Sequence, residues 1–342
     1  MPSSTSNSKQ RLPHTPVARF WCFVVLCFVL MLGVIETAAR FNGYQPMVQD
    51  SKELWAYHRY RATKAGESSI VLLGASRIQN GMVPEVLSRS FPDSEIAMLA
   101  LAGHDVRAIL EDLASDDAFT GTVIWSTTAL WLKGDFFWQT LTPNINFYEN
   151  EWSTRLLLST RVQVTMQEHL AMLHEGLSFE ALEARLSGKP YRNMTFSRAS
   201  RYRELHRTNA DDIERIKARA NAIYKDTLEA TPFPSPEEMV QHYERIEVAV
   251  RTLVDKGCRV VVVRMPSSGQ VWELEQQHMP KELYWDRFAE LTRAETYHFK
   301  DHPSLSEFEC SDNTHLDYPD AVRFTDAFAQ LVVANSITPK PE

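Results

Sequence analysis

Three side chains near opposite ends of the chain have the types that acyl transfer requires. Ser76 follows the uncharged run Ser69–Leu73 and two small residues, whereas Asp312 and His315 stand three positions apart ahead of an amphipathic segment. A serine hydroxyl is a weak nucleophile until a base takes its proton, and that base needs a third group to orient it. We therefore predict Ser76 as the nucleophile, His315 as the general base and Asp312 as the group that orients the imidazole.

The position of Ser76 favours a functional site. The run before it is β-branched and aliphatic, which is typical of a strand buried on both faces of a parallel sheet. Ligands of open α/β sheets lie beyond the carboxyl ends of the strands, and Gly74 and Ala75 permit a tight turn that exposes the next hydroxyl. Small residues after a strand more often mark a plain turn, so the prediction depends on the distant Asp-x-x-His pair.

At these residues the chain resembles the SGNH (GDSL-like) hydrolases, in particular the membrane-anchored branch that includes the alginate O-acetylation and teichoic-acid D-alanylation proteins. The first family block, Gly-x-Ser after the first strand, matches Gly74-Ala75-Ser76, with Ala in place of the common Asp. The last block, Asp-x-x-His before the final helix, matches Asp312 and His315.

Two further blocks of the family concern the oxyanion hole. The second block, a strand that ends in a glycine, matches the run Ile96 to Leu101 and the Gly103 that follows. The third block usually carries Asn, whereas this chain reads Thr-Val-Ile-Trp-Ser-Thr-Thr up to Thr128. The resemblance implies that the backbone N–H groups of Ser76 and Gly103 hold the oxyanion, with Thr127 or Thr128 as a third donor.

Two residues beside this machinery are candidates for substrate binding. Arg77 follows the predicted nucleophile and His104 follows the predicted oxyanion glycine, so we expect both to contact substrate. A histidine near a helix start is also commonly a surface residue or a partner of the backbone. No Cys or His cluster has zinc-ligand spacing, so we expect no metal, and we expect no cofactor.

The resemblance implies a fold and a function. The fold is a three-layer α/β/α, flavodoxin-like SGNH domain with a mainly parallel sheet, which the alternation of strands and helices also predicts. The implied protein is a serine esterase or O-acetyltransferase acting on acetyl esters of an exported polysaccharide or cell-envelope glycan, beside a membrane-bound acyl donor protein. The alternative is a catalytically inactive, carbohydrate-binding or assembly protein of the cell envelope. The altered third block favours this alternative, and the Asp-x-x-His pair favours the enzyme.

Composition limits the partners of the chain. Its 342 residues, 44% hydrophobic and 23% charged, suit one large globular domain. The net charge of -8, with no basic stripe along the chain, argues against a nucleic-acid partner, because phosphate binding needs clustered Lys and Arg.

One long apolar run predicts a membrane anchor. Phe20 to Ile35 carries no charge, and with its flanks it approaches the roughly twenty residues that a bilayer span requires. We predict a disordered cytoplasmic tail over residues 1–16, a transmembrane anchor over residues 17–39 and a polar, aromatic-containing connector over residues 40–67.

The charges around this run predict its orientation. Lys9, Arg11 and Arg19 precede it and Glu36 follows it, so the positive-inside rule puts the N-terminus in the cytoplasm. The domain would then be periplasmic or extracellular, on a single-pass protein of the cytoplasmic (inner) membrane. A cleavable signal peptide is the alternative, but Thr37-Ala38-Ala39 is a poor cleavage site.

The remaining residues predict one hydrolase-like domain over residues 68–336, with a helical insertion over about 150–235, and its last clear buried strand is Val260 to Val263. The basic stretch Lys189 to Arg207 is either a grip for an anionic polymer or headgroup, or a solvated loop. The aromatic-rich stretch Ala129 to Trp152 either forms a carbohydrate groove, fills space under the insertion, or lies on the membrane surface.

Overall fold

The computed structural model describes residues 15–133, 142–188, 197–207, 213–230 and 232–337. Its strands are β1 Ser69–Leu73, β2 Glu95–Met98, β3 Thr122–Ser126, β4 Ser197–Ala199, β5 Leu205–Arg207, β6 Arg259–Arg264 and β7 Glu295–His298. Its α-helices are α1 Thr15–Phe41, α2 Lys52–Ala65, α3 Ser76–Gly81, α4 Pro84–Ser90, α5 Arg107–Ser115, α6 Ala129–Lys133, α7 Thr142–Asn150, α8 Thr154–His169, α9 Phe179–Leu186, α10 Ile213–Ala230, α11 Pro236–Asp255, α12 Gly269–His278, α13 Lys281–Leu291, α14 Pro303–Ser306 and α15 Tyr318–Ile337. Short 3₁₀ turns lie at Gly66–Ser68, Ala171–Leu173, Glu175–Leu177 and Phe299–Asp301.

The central sheet has five strands in the order β2-β1-β3-β6-β7, and every pairing is parallel. Counted along the chain this is the order 2-1-3-4-5 of flavodoxin-like sheets, in which ligands bind where the chain crosses from one side of the first strand to the other. Ser76 begins α3 directly after β1, at this switch point. The predicted α/β class with a mainly parallel sheet is confirmed.

Helices cover both faces of the sheet. Alternate residues of a strand point to opposite faces, so Val71 and Leu73 enter one hydrophobic core while Ile70 and Leu72 enter the other. The first core also contains side chains of α2, α5, α11 and α13, and the second contains side chains of α3, α4 and α15. The buried apolar strands are therefore the middle of three layers.

The expected connector contains a structural helix, α2. The Trp55 indole N–H donates a hydrogen bond to the Leu99 carbonyl at 3.1 Å, and the Arg59 guanidinium is 1% exposed and donates to the Asp112 carboxylate at 2.7 Å. This helix therefore belongs to the covering layer of the domain. The mixed polar and aromatic composition of the segment did not indicate a helix.

A fifth strand, β7, follows the one that the sequence pattern took as the last. It lies at the edge of the sheet and pairs only with β6. Two of its four residues are half-buried, and Glu295 forms an ion pair with Arg259 of β6. An edge strand of this kind does not carry a continuous apolar run, so the pattern missed it.

The insertion between β3 and β6 comprises α7 to α10 and the antiparallel pair β4–β5. Within its basic stretch, Arg203 is fully buried and donates to the Asp50 carboxylate at 2.7 Å and to the carbonyls of Met98 and Ala100 at 2.6 and 3.2 Å. This arginine joins the insertion to the end of β2 and is not part of a solvated loop. Residues 189–196 of the stretch lie outside the described residues.

Part of the aromatic-rich stretch fills space inside the protein. Phe147 of α7 is 4% exposed and belongs to the first core, and Trp152 packs against that core with its ring 6.5 Å from the ring of Tyr60. Residues 134–141, which carry three of the aromatic side chains, lie outside the described residues. The packing alternative is thus confirmed for Phe147 and Trp152.

One described helix is long and apolar enough to cross a membrane. It is α1, whose segment Val17–Phe41 has 25 residues and contains an 18-residue window with a mean hydropathy of 2.5. At a rise of about 1.5 Å per residue it exceeds the roughly 30 Å of a bilayer core. The expected tail over residues 1–16 lies almost entirely outside the described residues.

Candidate active site

The turn between β1 and α3 needs a glycine. Gly74 has φ +146°, and a Cβ there would lie 2.7 Å from the Ser126 carbonyl oxygen and 2.9 Å from Ile78 Cγ2. No larger side chain fits between β1 and the end of β3, so the chain turns sharply and places Ser76 as the first residue of α3. The N–H groups of a first helical turn have no acceptor within the helix, so they can serve a ligand.

The three predicted catalytic side chains form one hydrogen-bonded chain. His315 Nε2 lies 2.8 Å from Ser76 Oγ, and His315 Nδ1 lies 3.0 Å from Asp312 Oδ2. Because an ionised carboxylate only accepts hydrogen bonds, we assign the ring proton to Nδ1, which leaves Nε2 to accept from the serine hydroxyl. Residues far apart in the chain thus meet beyond the carboxyl end of β1.

Local backbone geometry fixes the Asp312 carboxylate, which is 2% exposed. Its Oδ1 accepts hydrogen bonds from the N–H groups of Thr314 and His315, at 2.9 and 2.7 Å, and from the Thr314 hydroxyl at 2.9 Å. Asn313, which lies between Asp312 and Thr314, has φ +70°, a left-handed conformation that Asn tolerates better than most residues. The loop therefore turns its own donors onto Oδ1 and leaves Oδ2 to the imidazole.

The loop that follows β6 holds this catalytic loop in place. The Cys310 N–H donates to Ser268 Oγ at 2.8 Å, and the Ser268 N–H donates to the Asn313 carbonyl at 3.0 Å. Gly269 has φ +50°, and a Cβ there would lie 2.8 Å from Asn313 Oδ1. The Asn313 amide also donates to Asn221 Oδ1 of α10 at 2.9 Å. The β6 loop thus acts on the site through the catalytic loop.

A buried charge cluster lies behind the nucleophile. Glu275 of α12 is 3% exposed and accepts from Arg77 at 3.0 Å, from Ser267 Oγ at 2.6 Å and from Arg264. Burial raises the pKa of the Glu275 carboxyl, but the two guanidiniums lower it by more, so the net pKa lies below its ordinary value. Burial and the neighbouring Arg77 lower the pKa of Arg264 to about 10. Burial also raises the pKa of the Tyr224 hydroxyl, which accepts from Arg77 at 2.6 Å.

Arg77 lines the cavity beside Ser76, and its role as a substrate contact stays a prediction. Its guanidinium donates to Tyr224, to Glu275 and to the Pro266 carbonyl at 3.4 Å. Arg77 therefore fixes α3 against α10 and α12. Sequence analysis missed this cluster because its members come from four separate elements. The one signal was a charged residue, Arg264, at the end of an apolar strand.

The loop that carries Gly103 lies beside the nucleophile turn, and β2 is shorter than expected. The Leu101 N–H donates to the Gly74 carbonyl at 2.9 Å, and Gly103 has φ +75°. The role of Gly103 as an oxyanion donor stays a prediction. His104 Nδ1 lies 2.8 Å from the Ala102 carbonyl, and His104 is not among the residues that line the cavity around Ser76. The histidine thus matches the backbone-partner alternative.

The role of Thr127 or Thr128 as a third oxyanion donor stays a prediction, and the structure places both threonines outside the cavity beside Ser76. The Thr127 N–H continues the sheet by donating to the Val263 carbonyl at 3.1 Å. The Thr128 hydroxyl accepts from the Trp131 N–H at 3.4 Å, and Thr128 borders a small separate cavity beside Arg264. Both threonines are 2% exposed and neither lines the cavity around Ser76, because the chain passes from β3 straight into α6.

A cavity of about 650 Å³ opens beside the triad. Its lining residues come from the turn at Ser76, from the loop that carries Asp312 and His315, from α6 and from α10. Apolar side chains form most of its walls. The lining residues are Ala75, Ser76, Arg77, Leu130, Trp131, Ile216, Arg219, Ala220, Ile223, Tyr224, Asp226, Thr227, Ala230, Asp312, Thr314 and His315.

No group of three or more His, Cys, Asp or Glu side chains in the described ranges has the arrangement of a metal site. Comparisons of the chain with protein families and with curated proteins give no match.

Replacing Glu275 with Gln should lower the free energy of unfolding by about 3–5 kcal/mol, because it leaves Arg77 and Arg264 buried without their counter-ion. Thermal unfolding of the detergent-solubilised chain measures this as a fall in Tm of about 4–8 °C. The control is Glu273→Gln on the exposed side of α12, for which we expect a change within about 0.5 kcal/mol. Equal Tm values for the two variants would contradict the structural role of the cluster.

Proposed function

We propose that this protein is a membrane-anchored serine esterase or O-acyltransferase that acts outside the cytoplasm on an exported polysaccharide or cell-envelope glycan. The observation that carries the proposal is the chain of hydrogen bonds from Ser76 Oγ to His315 Nε2, 2.8 Å, and from His315 Nδ1 to Asp312 Oδ2, 3.0 Å. Such distances suit a nucleophile, a base and an orienting carboxylate. The resemblance to SGNH hydrolases rests on the same three residues, and the flavodoxin-like strand order agrees with it.

The acylation step follows from this geometry. Ser76 Oγ attacks the ester carbonyl carbon while its proton moves to His315 Nε2. When the tetrahedral intermediate collapses, the bond to the alcohol oxygen breaks and His315 gives its proton to that oxygen. The acyl group is then bound to Ser76 as an ester.

Deacylation transfers the acyl group from Ser76 to a second nucleophile, and His315 again accepts a proton and then donates it. Water or a sugar hydroxyl attacks the acyl carbon, His315 takes the proton of that nucleophile, and the bond to Ser76 Oγ breaks as the proton returns to it. Water gives hydrolysis and a sugar hydroxyl gives transfer. The N–H of Ser76 and the loop that carries Gly103 are the proposed donors to the oxyanion.

Asp312 has two roles in this scheme. Its bond to Nδ1 selects the tautomer in which Nε2 can accept a proton, and its charge stabilises the imidazolium that forms. The three donors on Oδ1 keep the carboxylate in the orientation that both roles need. The orientation of the Asp312 carboxylate is thus fixed before substrate binds.

Single and double substitutions in the triad test the proposal. Ser76→Ala and His315→Ala should each lower turnover of a soluble acyl ester by about 10³-fold or more, and Asp312→Asn by about 10²- to 10⁴-fold. Because the three act as a unit, Asp312→Asn combined with His315→Ala should be scarcely slower than His315→Ala alone. Turnover by the detergent-solubilised chain is the measurement, with labelling by a fluorophosphonate as an independent test of serine activation.

Two outcomes would overturn the enzymatic proposal. Fully additive losses would mean that Asp312 and His315 act independently. A folded wild-type chain that neither cleaves esters nor reacts with the fluorophosphonate would favour the binding or assembly protein, the alternative that the position of Thr128 away from the site supports.

The proposed location depends on α1. Basic residues before the apolar run and Glu36 near its end favour a cytoplasmic N-terminus, with the domain on the opposite side of the cytoplasmic membrane. A glycan substrate and a membrane-bound acyl donor protein are partners that suit this location. A phosphatase reporter fused after Glu342 should be active in the periplasm of a bacterial host. Activity of a cytoplasmic reporter alone at the same position would reverse the orientation.

A further inference from the structure

An apolar face of α10 borders the cavity beside the nucleophile. Its members are spaced as on one side of a helix. They are Ile216, Ala220, Ile223, Thr227 and Ala230. None of them is buried, and within α10 the structure buries only Leu228. This face therefore borders open space beside Ser76. The same face of a core helix would be packed against protein.

The space exceeds what an acetyl group needs. Beyond its carbonyl an acetyl group has one methyl, whose volume is close to the roughly 30 Å³ of a water molecule. The cavity measures about 650 Å³, and Leu130 and Trp131 of α6 add apolar lining to that of α10. The charged lining residues Arg219 and Asp226 are exposed. An apolar chain can thus bind inside while a polar alcohol stays in water.

We propose that this cavity binds the acyl chain of the ester, and that the enzyme takes medium-length or longer chains in preference to acetyl. This inference rests on the proposed function, because Ser76 must be the attacking group. Each methylene that moves from water to an apolar site favours binding by roughly fourfold. In a cavity that is partly open we expect about two- to fourfold per methylene in kcat/KM.

A chain-length series of p-nitrophenyl esters, from acetate to octanoate and myristate, tests the proposal on the detergent-solubilised chain. For the wild type, kcat/KM should rise from acetate to octanoate. Ala220→Trp puts a large ring into the cavity and should lower the octanoate-to-acetate ratio at least tenfold. Ala222→Trp makes the same change two residues later, on the exposed side of α10, and should keep the wild-type ratio.

Binding separates this inference from the proposed function. A fluorescent medium-chain fatty acid should bind Ser76→Ala, and the added Ala220→Trp should abolish that binding. Ser76-dependent cleavage with no dependence on chain length or on Ala220→Trp would overturn the acyl-chain site and leave the esterase intact. Binding that Ala220→Trp abolishes, in a protein that cleaves no ester, would support the site and overturn the esterase.

A second inference concerns the outer face of α8 and is independent of the cavity. Leu158, Val162 and Met166 follow one another at intervals of four residues and are 58%, 60% and 45% exposed. The opposite face packs on α2 through Val164, which joins a small core with Leu54. The helix is thus apolar on two sides, and among the described residues the outer side stays largely exposed.

A similar stripe occurs on α9. Phe179, Leu182 and Leu186 lie on one side of the helix and are 80%, 50% and 81% exposed, whereas Ala181 on the other side is buried. Large apolar side chains exposed in this number usually mark an interaction surface.

Both helices are fixed to the end of the apolar helix α1. Glu36 of α1 accepts from the N–H groups of Ala171 and Met172, which follow α8, at 3.0 and 2.8 Å. Just beyond α1, the Tyr44 hydroxyl accepts from Arg185 of α9 at 2.6 Å. The C-terminal ends of α8 and α9 are therefore held beside the end of α1.

We infer that the outer stripes of α8 and α9 lie in the membrane interface on the side where α1 emerges, with their apolar side chains at the boundary of headgroups and acyl chains. Amphipathic helices bind there through such a face. This inference rests on α1 as a membrane anchor, and it holds whether or not the domain is an esterase.

Environment-sensitive labels on introduced cysteines test the interface. The full chain, with Cys22 and Cys27 replaced by Ser, would carry a nitrobenzoxadiazole label at Val162→Cys or Leu182→Cys and be reconstituted into phosphatidylethanolamine–phosphatidylglycerol vesicles. A lipid with a doxyl group on its acyl chain should quench both labels. The controls are matched labels at Arg161→Cys and Glu180→Cys, which are close in sequence to the first two positions but lie outside the stripes. The same lipid should quench these control labels at least threefold less. Equal quenching at all four positions, or protection of the stripes by a second copy of the chain in crosslinking, would overturn the inference.

Discussion

The ion pairs of Glu275 connect the parts of the candidate site that must not move. Arg77 directly follows the nucleophile, Arg264 ends β6, and Tyr224 brings α10 into the same cluster. A buried carboxylate is stable beside two guanidiniums because their attraction offsets the loss of water around all three charges. The turn after β1, the loop after β6 and helix α10 are therefore fixed relative to one another. The triad distances depend on this arrangement.

Helix α10 links the structure to the proposed chemistry. Asn221 of α10 accepts from Asn313 in the catalytic loop, and Tyr224 accepts from Arg77 beside the nucleophile. The same helix turns its apolar face toward the cavity. The polar contacts of α10 thus place an apolar wall next to Ser76, the proposed nucleophile.

The insertion also affects how the domain is oriented relative to α1. Arg203 fastens it to the end of β2, and Glu36 of α1 accepts hydrogen bonds from the turn after α8. The apolar helix is therefore joined to the domain by specific contacts in addition to the chain itself. These contacts give the domain a defined position relative to α1.

The sequence alone determined the class of the fold and the three side chains that meet, since a buried apolar strand, a small-residue turn and an Asp-x-x-His pair are local patterns. It also indicated the apolar helix and most strands. Only the tertiary structure decided the surroundings of Ser76. Arg77 is bound by Glu275 and Thr128 borders another cavity, and neither arrangement leaves a periodic signal, because the residues that meet lie far apart in the chain. The apolar spacing along α10 is visible in the sequence, but only the tertiary structure puts that face beside Ser76.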